Sequence, residues 1–308
     1  MRDVRLSIID EPRAHDLAIA SCGYEARSTY FLQLEGRTFS AREAIGYGSH
    51  ECLSFSKNKT DFESEGFYFS RVDDSNFPEF ISKLIIDSSK SALRDGDAPF
   101  RVFIDISCMT RYRLAHLIEA LCKIDVDATF FYSLAKFDKP EEVQPLNEFF
   151  EPVSPFFSGW SGDIDKPTAV ISGLGYEYMR AIGIIDHLDA ANTWLFFPRS
   201  PIGEYDGAVE QANQLLLRDM DPSHVLNYMV FNFPDLCRDL FALSSSLRLS
   251  YRCVILPLGP KLFALASLLA GAAYDELAIW RVSAGEHALP SERLPSGQFN
   301  VVTVRFRS

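Results

Sequence analysis

The sequence predicts an α/β protein: two tandem three-layer αβα sandwiches related by internal duplication. Three observations carry that expectation. Short apolar runs of strand length alternate with stretches of helical period, the order of a mostly parallel sheet covered on both faces. The length of 308 residues exceeds one ordinary core and suits two domains. Similar words also recur in the same order. Gly23-Tyr24-Glu25 returns as Gly175-Tyr176-Glu177, Asn76-Phe77-Pro78-Glu79 as Asn232-Phe233-Pro234-Asp235, and Arg101-Val102-Phe103-Ile104 as Arg252-Cys253-Val254-Ile255. Their offsets are 152, 156 and 151 residues, which one short insertion reconciles.

In the first domain, 1–150, Leu17–Ser21 predicts a short buried strand and Ser28–Leu34 the start of a helix. Ala44–Tyr47 and Phe67–Phe69 read as the second and third strands. Phe80–Leu93 is helical, with Phe80, Leu84 and Ile85 on one face. Arg101–Ile106 is charged at its start and then continuously apolar, as a strand covered on both faces is. A helix over Tyr112–Cys122 and a strand over Ala128–Leu134 complete the domain. Residues 151–166 read as a linker whose Phe156, Phe157 and Trp160 suggest packing against something.

The second domain, 167–308, repeats the order. Strand Ala169–Ser172 leads to helix Glu177–Leu188 and strand Thr193–Phe197. Helices are expected over Ala208–Leu217, Ser223–Phe231 and Pro234–Ser245. Strand Cys253–Leu256, helix Leu262–Ala273 and strand Leu277–Val282 follow, and Asn300–Phe306 alternates as a closing edge strand. Both domains are therefore expected to be Rossmann-like, with ligand loops beyond the carboxyl ends of the strands.

Composition narrows the function classes. The 47% hydrophobic content fits a globular chain, and no apolar run approaches the ~20 residues that cross a bilayer. Met1–Arg5 is charged and lacks the apolar core of a secretory signal, so a cytoplasmic protein without membrane contact is expected. Six scattered cysteines form no Cys-x-x-Cys pair and the histidines no zinc spacing; neither a metal nor a cofactor is implied. A net charge of −12 opposes broad nucleic-acid binding but leaves room for a small anion in a local basic pocket.

Four strand-end loops can carry chemistry. The first pair holds the repeated triplet: Gly23, Tyr24, Glu25 and Arg27 in one half, and Gly173, Gly175, Tyr176 and Glu177 in the other. A glycine there permits a tight turn and close approach of a ligand to backbone, and a plain strand-to-helix turn needs the same residues. Gly173 and Gly175 lack the third glycine of a dinucleotide fingerprint. The second pair follows the buried strands. Asp105, Ser107, Thr110 and Arg111 place an acid, two hydroxyls and a guanidinium at a helix start, with Arg113 a second possible cation. Gly259 and Lys261 stand in the matching loop, where the acid and hydroxyls are gone. Arg199 is a further strand-end cation. Asp105, Glu25 and Glu177 are the candidate catalytic carboxylates. Cys108 fits no phosphatase loop and reads first as a packed thiol.

The stretch Asp105-Ile106-Ser107-Cys108-Met109-Thr110-Arg111 resembles the ligand loop of the CARF and SAVED families, Rossmann-like sensors of oligonucleotide signals in prokaryotic defence. SAVED proteins fuse two CARF-like units into one chain, an arrangement that the tandem here resembles. Cys108-Met109 replaces the family's glycine pair, and Leu256–Lys261 lacks the acid. The resemblance implies a binding module that senses a nucleotide-like anion at the cleft between the halves and signals to a protein partner. Two alternatives stand beside it: an enzyme on nucleotides or phosphosugars (hydrolase, phosphodiesterase or glycosidase), and a structural subunit of a complex.

Overall fold

The computed structural model describes residues 5–49, 51–92, 98–139, 149–159, 163, 165–176, 180–283 and 290–307. The chain divides into two compact units, Asp3–Lys136 with Leu289–Ser308, and Phe137–Ala288. Elements are numbered in chain order.

The first unit contains β1 (Arg5–Ile9), β2 (Ala14–Cys22), β3 (Thr38–Gly46), β4 (Tyr68–Arg71), β5 (Phe100–Asp105), β6 (Val126–Ala135) and the last strand of the chain, β13 (Pro295–Arg307). A 3-10 helix over Ala26–Gln33, then α1 (Phe55–Ser64), α2 (Phe77–Ser91) and α3 (Arg111–Leu121), make the crossovers. The sheet order is β1-β13-β6-β5-β2-β3-β4. The five strands from β2 to β6 are parallel and lie in the spatial order 3-2-1-4-5 of a doubly wound sheet. β2 is buried from Leu17 to Cys22, because helices cover both faces. On one face Phe31 of the 3-10 helix meets the rings of Phe62, Phe103 and Phe131. Elsewhere α2, which turns Phe77, Ile81 and Ile85 inward, packs with α3. One polar chain crosses this core: His15 Nε2 lies 3.0 Å from Thr129 Oγ1, which lies 2.9 Å from Thr303 Oγ1. Burial, aided by Arg37 and Arg101, lowers the His15 pKa to about 4.

The second unit runs β7 (Phe149–Pro152), β8 (Thr168–Gly173), α4 (Arg180–His187), β9 (Asn192–Arg199), α5 (Gly203–Ala212), α6 (Gln214–Asp219), β10 (Val225–Met229), α7 (Phe233–Leu247), β11 (Arg252–Leu256), α8 (Lys261–Ala273) and β12 (Ala278–Ser283). Its order is β10-β9-β8-β11-β12-β7. Strands β8 to β12 are parallel and again 3-2-1-4-5, with β7 antiparallel on β12. Residues of α4, α5 and α6 join one core with β8 and β9, while α7 packs with α8. Two α/β units therefore share one topology. The repeated words fall at equivalent places: the Gly-Tyr pair after the first parallel strand, the asparagines as N-caps of α2 and α7, the arginine-led run in the fourth strand.

Four expectations depart from this architecture. Asn300–Phe306 is no edge of the second domain: it lies within β13, between β1 and β6 of the first sheet. The stretch read as a linker contributes β7 and buried Phe157 to the second unit, while Trp160 lies outside the described residues. Ser223–Phe231 is strand β10 after a short 3-10 turn, not a helix. Val225, Leu226, Tyr228 and Met229 fit either period over so short a run, and pairing with β9 decides it. Ala208–Leu217 breaks into α5 and α6 at Asn213, whose side chain turns back onto the carbonyls of Gly175 and Val209.

Candidate functional site

Strands β2 and β5 are neighbours whose onward connections run in opposite directions across the sheet, to β3 and to β6. Such a switch point opens a crevice beyond the strand ends. The loops 23–27 and 106–110 flank it. They touch: a Cβ built on Gly23 would stand 3.1 Å from Cys108 Cβ, so a larger residue would push the loops apart.

The first loop is held from several sides. Gly23 N–H donates to Ser28 Oγ at 3.3 Å, and that hydroxyl donates to Ser21 O at 2.7 Å. Asn58, buried on α1, donates its amide to Gly23 O and Glu25 O, both at 2.9 Å. Arg27 is buried; its Nε donates to Glu25 Oε2 at 2.5 Å and its Nη1 to Ser133 O at 2.9 Å. Burial acts against the Arg27 charge, yet the Glu25 carboxylate outweighs it and raises the pKa above the ordinary value. The partly exposed Cys108 thiol donates to the same Glu25 oxygen at 3.7 Å. Tyr24 packs on the Phe31 cluster, and burial raises its phenol pKa.

The second loop is tied to β6. Buried Asp105 accepts from Ser107 N–H at 2.7 Å, and Ser107 Oγ accepts from Ser133 N–H at 2.8 Å. Asp105 and Ser107 thus shape the loop from inside. Thr110 is exposed and caps α3, accepting from Arg113 N–H at 3.2 Å, and Arg111 is the first helical residue. Tyr47, at the end of β3, bridges the turn: its hydroxyl donates to Cys108 O at 2.9 Å and accepts from Thr110 N–H at 3.0 Å. Burial pushes its pKa up to about 12, which keeps the proton that this double role needs. Arg113, considered as a second ligand cation, is instead fully buried. It donates to Asp74 Oδ1 at 2.6 Å, Gly46 O at 3.2 Å and Val72 O at 2.5 Å, and stacks 3.7 Å above the Tyr47 ring. A guanidinium so enclosed organises the ends of β3 and β4 rather than meeting a ligand.

A third segment, which the sequence did not announce, reaches this site. Glu292 Oε1 accepts from Ala26 N–H at 2.6 Å and Oε2 from Ser54 Oγ at 2.8 Å, while Arg27 N–H donates to Arg293 O at 3.2 Å.

The matching switch point of the second unit lies between β8 and β11. Its loops meet backbone to backbone. Gly259 has a φ of +71°, and a Cβ there would stand 2.1 Å from Leu174 O. A Cβ on Gly173 would stand 2.6 Å from Leu258 O. Leu174 and Leu258 are buried in this contact. Lys261 opens α8 as Arg111 opens α3. Tyr176 packs on the core, 6.1 Å from the Tyr205 ring, and Asn213 holds Gly175 O at 2.7 Å as Asn58 holds Gly23 O. That asparagine pair is 155 residues apart, within the range of the repeat offsets, and was legible in principle. Arg199 donates to Asn227 at 2.9 Å, pairs with Asp206 at 3.6 Å and stacks on Phe197. Glu177 lies outside the described residues.

The first switch point therefore presents a carboxylate, a thiol, a hydroxyl and the start of a helix with Arg111. Among the described residues, the second presents mainly apolar side chains and backbone, with Lys261 at the start of α8. No helix among the described residues is long and apolar enough to cross a membrane.

No family model matches the chain. No curated protein matches it. Among solved structures, it is similar to a Type III CRISPR defence DNA nuclease activated by cyclic oligoadenylate, at 9% identity and a TM-score of 0.49, over 83% of this chain and 64% of that one. The chain thus spans just under two thirds of that protein. It is also similar to the cytoplasmic domain of a prokaryotic cation chloride cotransporter, at 14% identity and a TM-score of 0.25, over 89% of this chain and 97% of that one. Likeness of this degree gives no residue-by-residue correspondence.

Proposed function

We propose that the chain is a binding module for a nucleotide-like anionic ligand, seated at the switch point of the first unit, and that it signals occupancy to a protein partner in the cytoplasm. A role in prokaryotic antiviral defence follows from the resemblance of the Asp105–Arg111 loop to oligonucleotide sensors. The observation that carries the reading is the joining of the two loops: Gly23 against Cys108, Glu25 bonded to the Cys108 thiol, and Arg111 at the head of α3. The start of α3 and its arginine suit phosphate, and Glu25 suits a ribose hydroxyl. Calorimetric titration with nucleotides and with cyclic and linear oligonucleotides tests it. Arg111→Ala is expected to weaken binding at least tenfold, the order of one lost charge-assisted bond. Unchanged affinity rejects the pocket.

One observation favours the enzyme reading as the alternative. Glu25 is partly exposed and held by Arg27, as a positioned carboxylate is. Chromatography of the same nucleotides after prolonged incubation separates the two readings. Turnover that Glu25→Gln abolishes would make the protein a hydrolase.

A further inference from the structure

We propose that residues 290–294 act as a strap, whose Glu292 carboxylate fastens the Gly23–Arg27 loop until an anionic group of the ligand takes its place. The inference rests on the binding function proposed above and adds how occupancy is transmitted. The strap is bonded along its length: Ala26 N–H and Ser54 Oγ donate to Glu292, Arg27 N–H to Arg293 O, and Lys136 N–H to Leu294 O at 2.8 Å. The Glu292 contact is the one a ligand can replace. A carboxylate and a phosphate offer the same charge and the same pair of acceptor oxygens to an N–H and a hydroxyl. Both donors border Tyr24, since Ser54 N–H also donates to Tyr24 O at 3.0 Å. An arriving anion meets Glu292 as a like charge, so the two exclude each other there.

Departure of Glu292 does not dismantle the loop. Asn58 keeps the carbonyls of Gly23 and Glu25, and Arg27 remains anchored on Ser133. What changes is the strap, and in the chain it follows the second unit directly and leads into β13. Binding at the first unit is thereby converted into a change in the segment that leads into β13.

Hydrogen exchange of the wild-type chain, with and without inorganic phosphate or a cyclic oligoadenylate, reads the strap directly. The amides of Arg27 and Lys136, which donate to strap carbonyls, are expected to lose protection on binding, while those of β2 do not. Calorimetry of Glu292→Gln with the same probes is expected to show about tenfold tighter binding, since the competing charge is gone. Equal or weaker binding overturns the strap and leaves the ligand site standing. Tighter binding without the exchange change also overturns it, as simple relief of repulsion. If neither protein binds any nucleotide or phosphate probe, the binding function falls and the strap with it. The exchange measurement needs no variant, so a folding defect of Glu292→Gln leaves it decisive.

Discussion

Replacing Arg113 by methionine tests how the site is supported. Methionine keeps much of the volume but removes every donor. Val72 O loses a buried partner, at about 1–3 kcal/mol, whereas Gly46 O keeps the Val72 N–H at 3.3 Å and loses only the net worth of one bond, about 0.5–1.5 kcal/mol. Loss of the stack over Tyr47 adds about 1–2 kcal/mol. Asp74 is half exposed and regains water, so its broken ion pair adds little. The total is about 2.5–6.5 kcal/mol, a large share of the ~5–15 kcal/mol that holds a domain together. All three tryptophans, Trp160, Trp194 and Trp280, belong to Phe137–Ala288, which gives a built-in control. In urea, far-UV circular dichroism is expected to show an early step from the first unit, while the tryptophan transition stays in place. Asp74→Asn is expected to cost less than about 1 kcal/mol. If Arg113→Met costs under 1 kcal/mol, or Asp74→Asn costs as much as Arg113→Met, the guanidinium does not hold these strand ends.

His15 gives the first unit a pH dependence. Its folded pKa of about 4 lies below the ordinary 6.5, so the unfolded chain takes up the proton first as pH falls. Stability from this group is complete above pH 6.5 and declines between 6.5 and 4, by up to about 3 kcal/mol; urea midpoints across that window measure it, and His15→Gln is expected to flatten the slope. Gly259→Ala, forced onto Leu174 O at positive φ, is expected to lose more than about 2 kcal/mol, whereas Gly183→Ala, in open space on α4, gains about 0.5–1 kcal/mol; thermal melts of the pair check the sign. Native thiol titration is expected to count two fast cysteines, Cys52 and Cys108, against six after unfolding. Burial raises the thiols of Cys22 and Cys237 to about 12 and Cys253 to about 11, so a third fast thiol would contradict the packing.

The sequence was most informative where a run of residues had one period and one burial. Arg101–Ile106 and Cys253–Leu256 read as buried strands because a parallel strand under two layers leaves no polar alternation. The repeated words marked equivalent positions because both units need the same turn after the first strand and the same cap before the fourth. Reading failed where distant pairing decides. Nothing local to Asn300–Phe306 says that its partner is β6 rather than β12, since an alternating strand fits either edge. The same blindness hid Glu292, whose partners Ala26 and Ser54 lie more than 230 residues away. Arg113 looked like a site cation because its burial comes from Gly46, Val72 and Asp74, supplied by other loops. The loops 23–27 and 106–111 were found because strand ends are where doubly wound sheets do their work.

Because β13 sits between β1 and β6, the seven-stranded sheet waits for residues that are made only after the whole second unit. During synthesis β6 carries a bare, apolar border while the whole second unit is made, and that unit can finish before its predecessor. Premature termination around residue 290 would therefore spoil the earlier-made half and spare the later one, the reverse of what N-to-C vectorial folding ordinarily delivers.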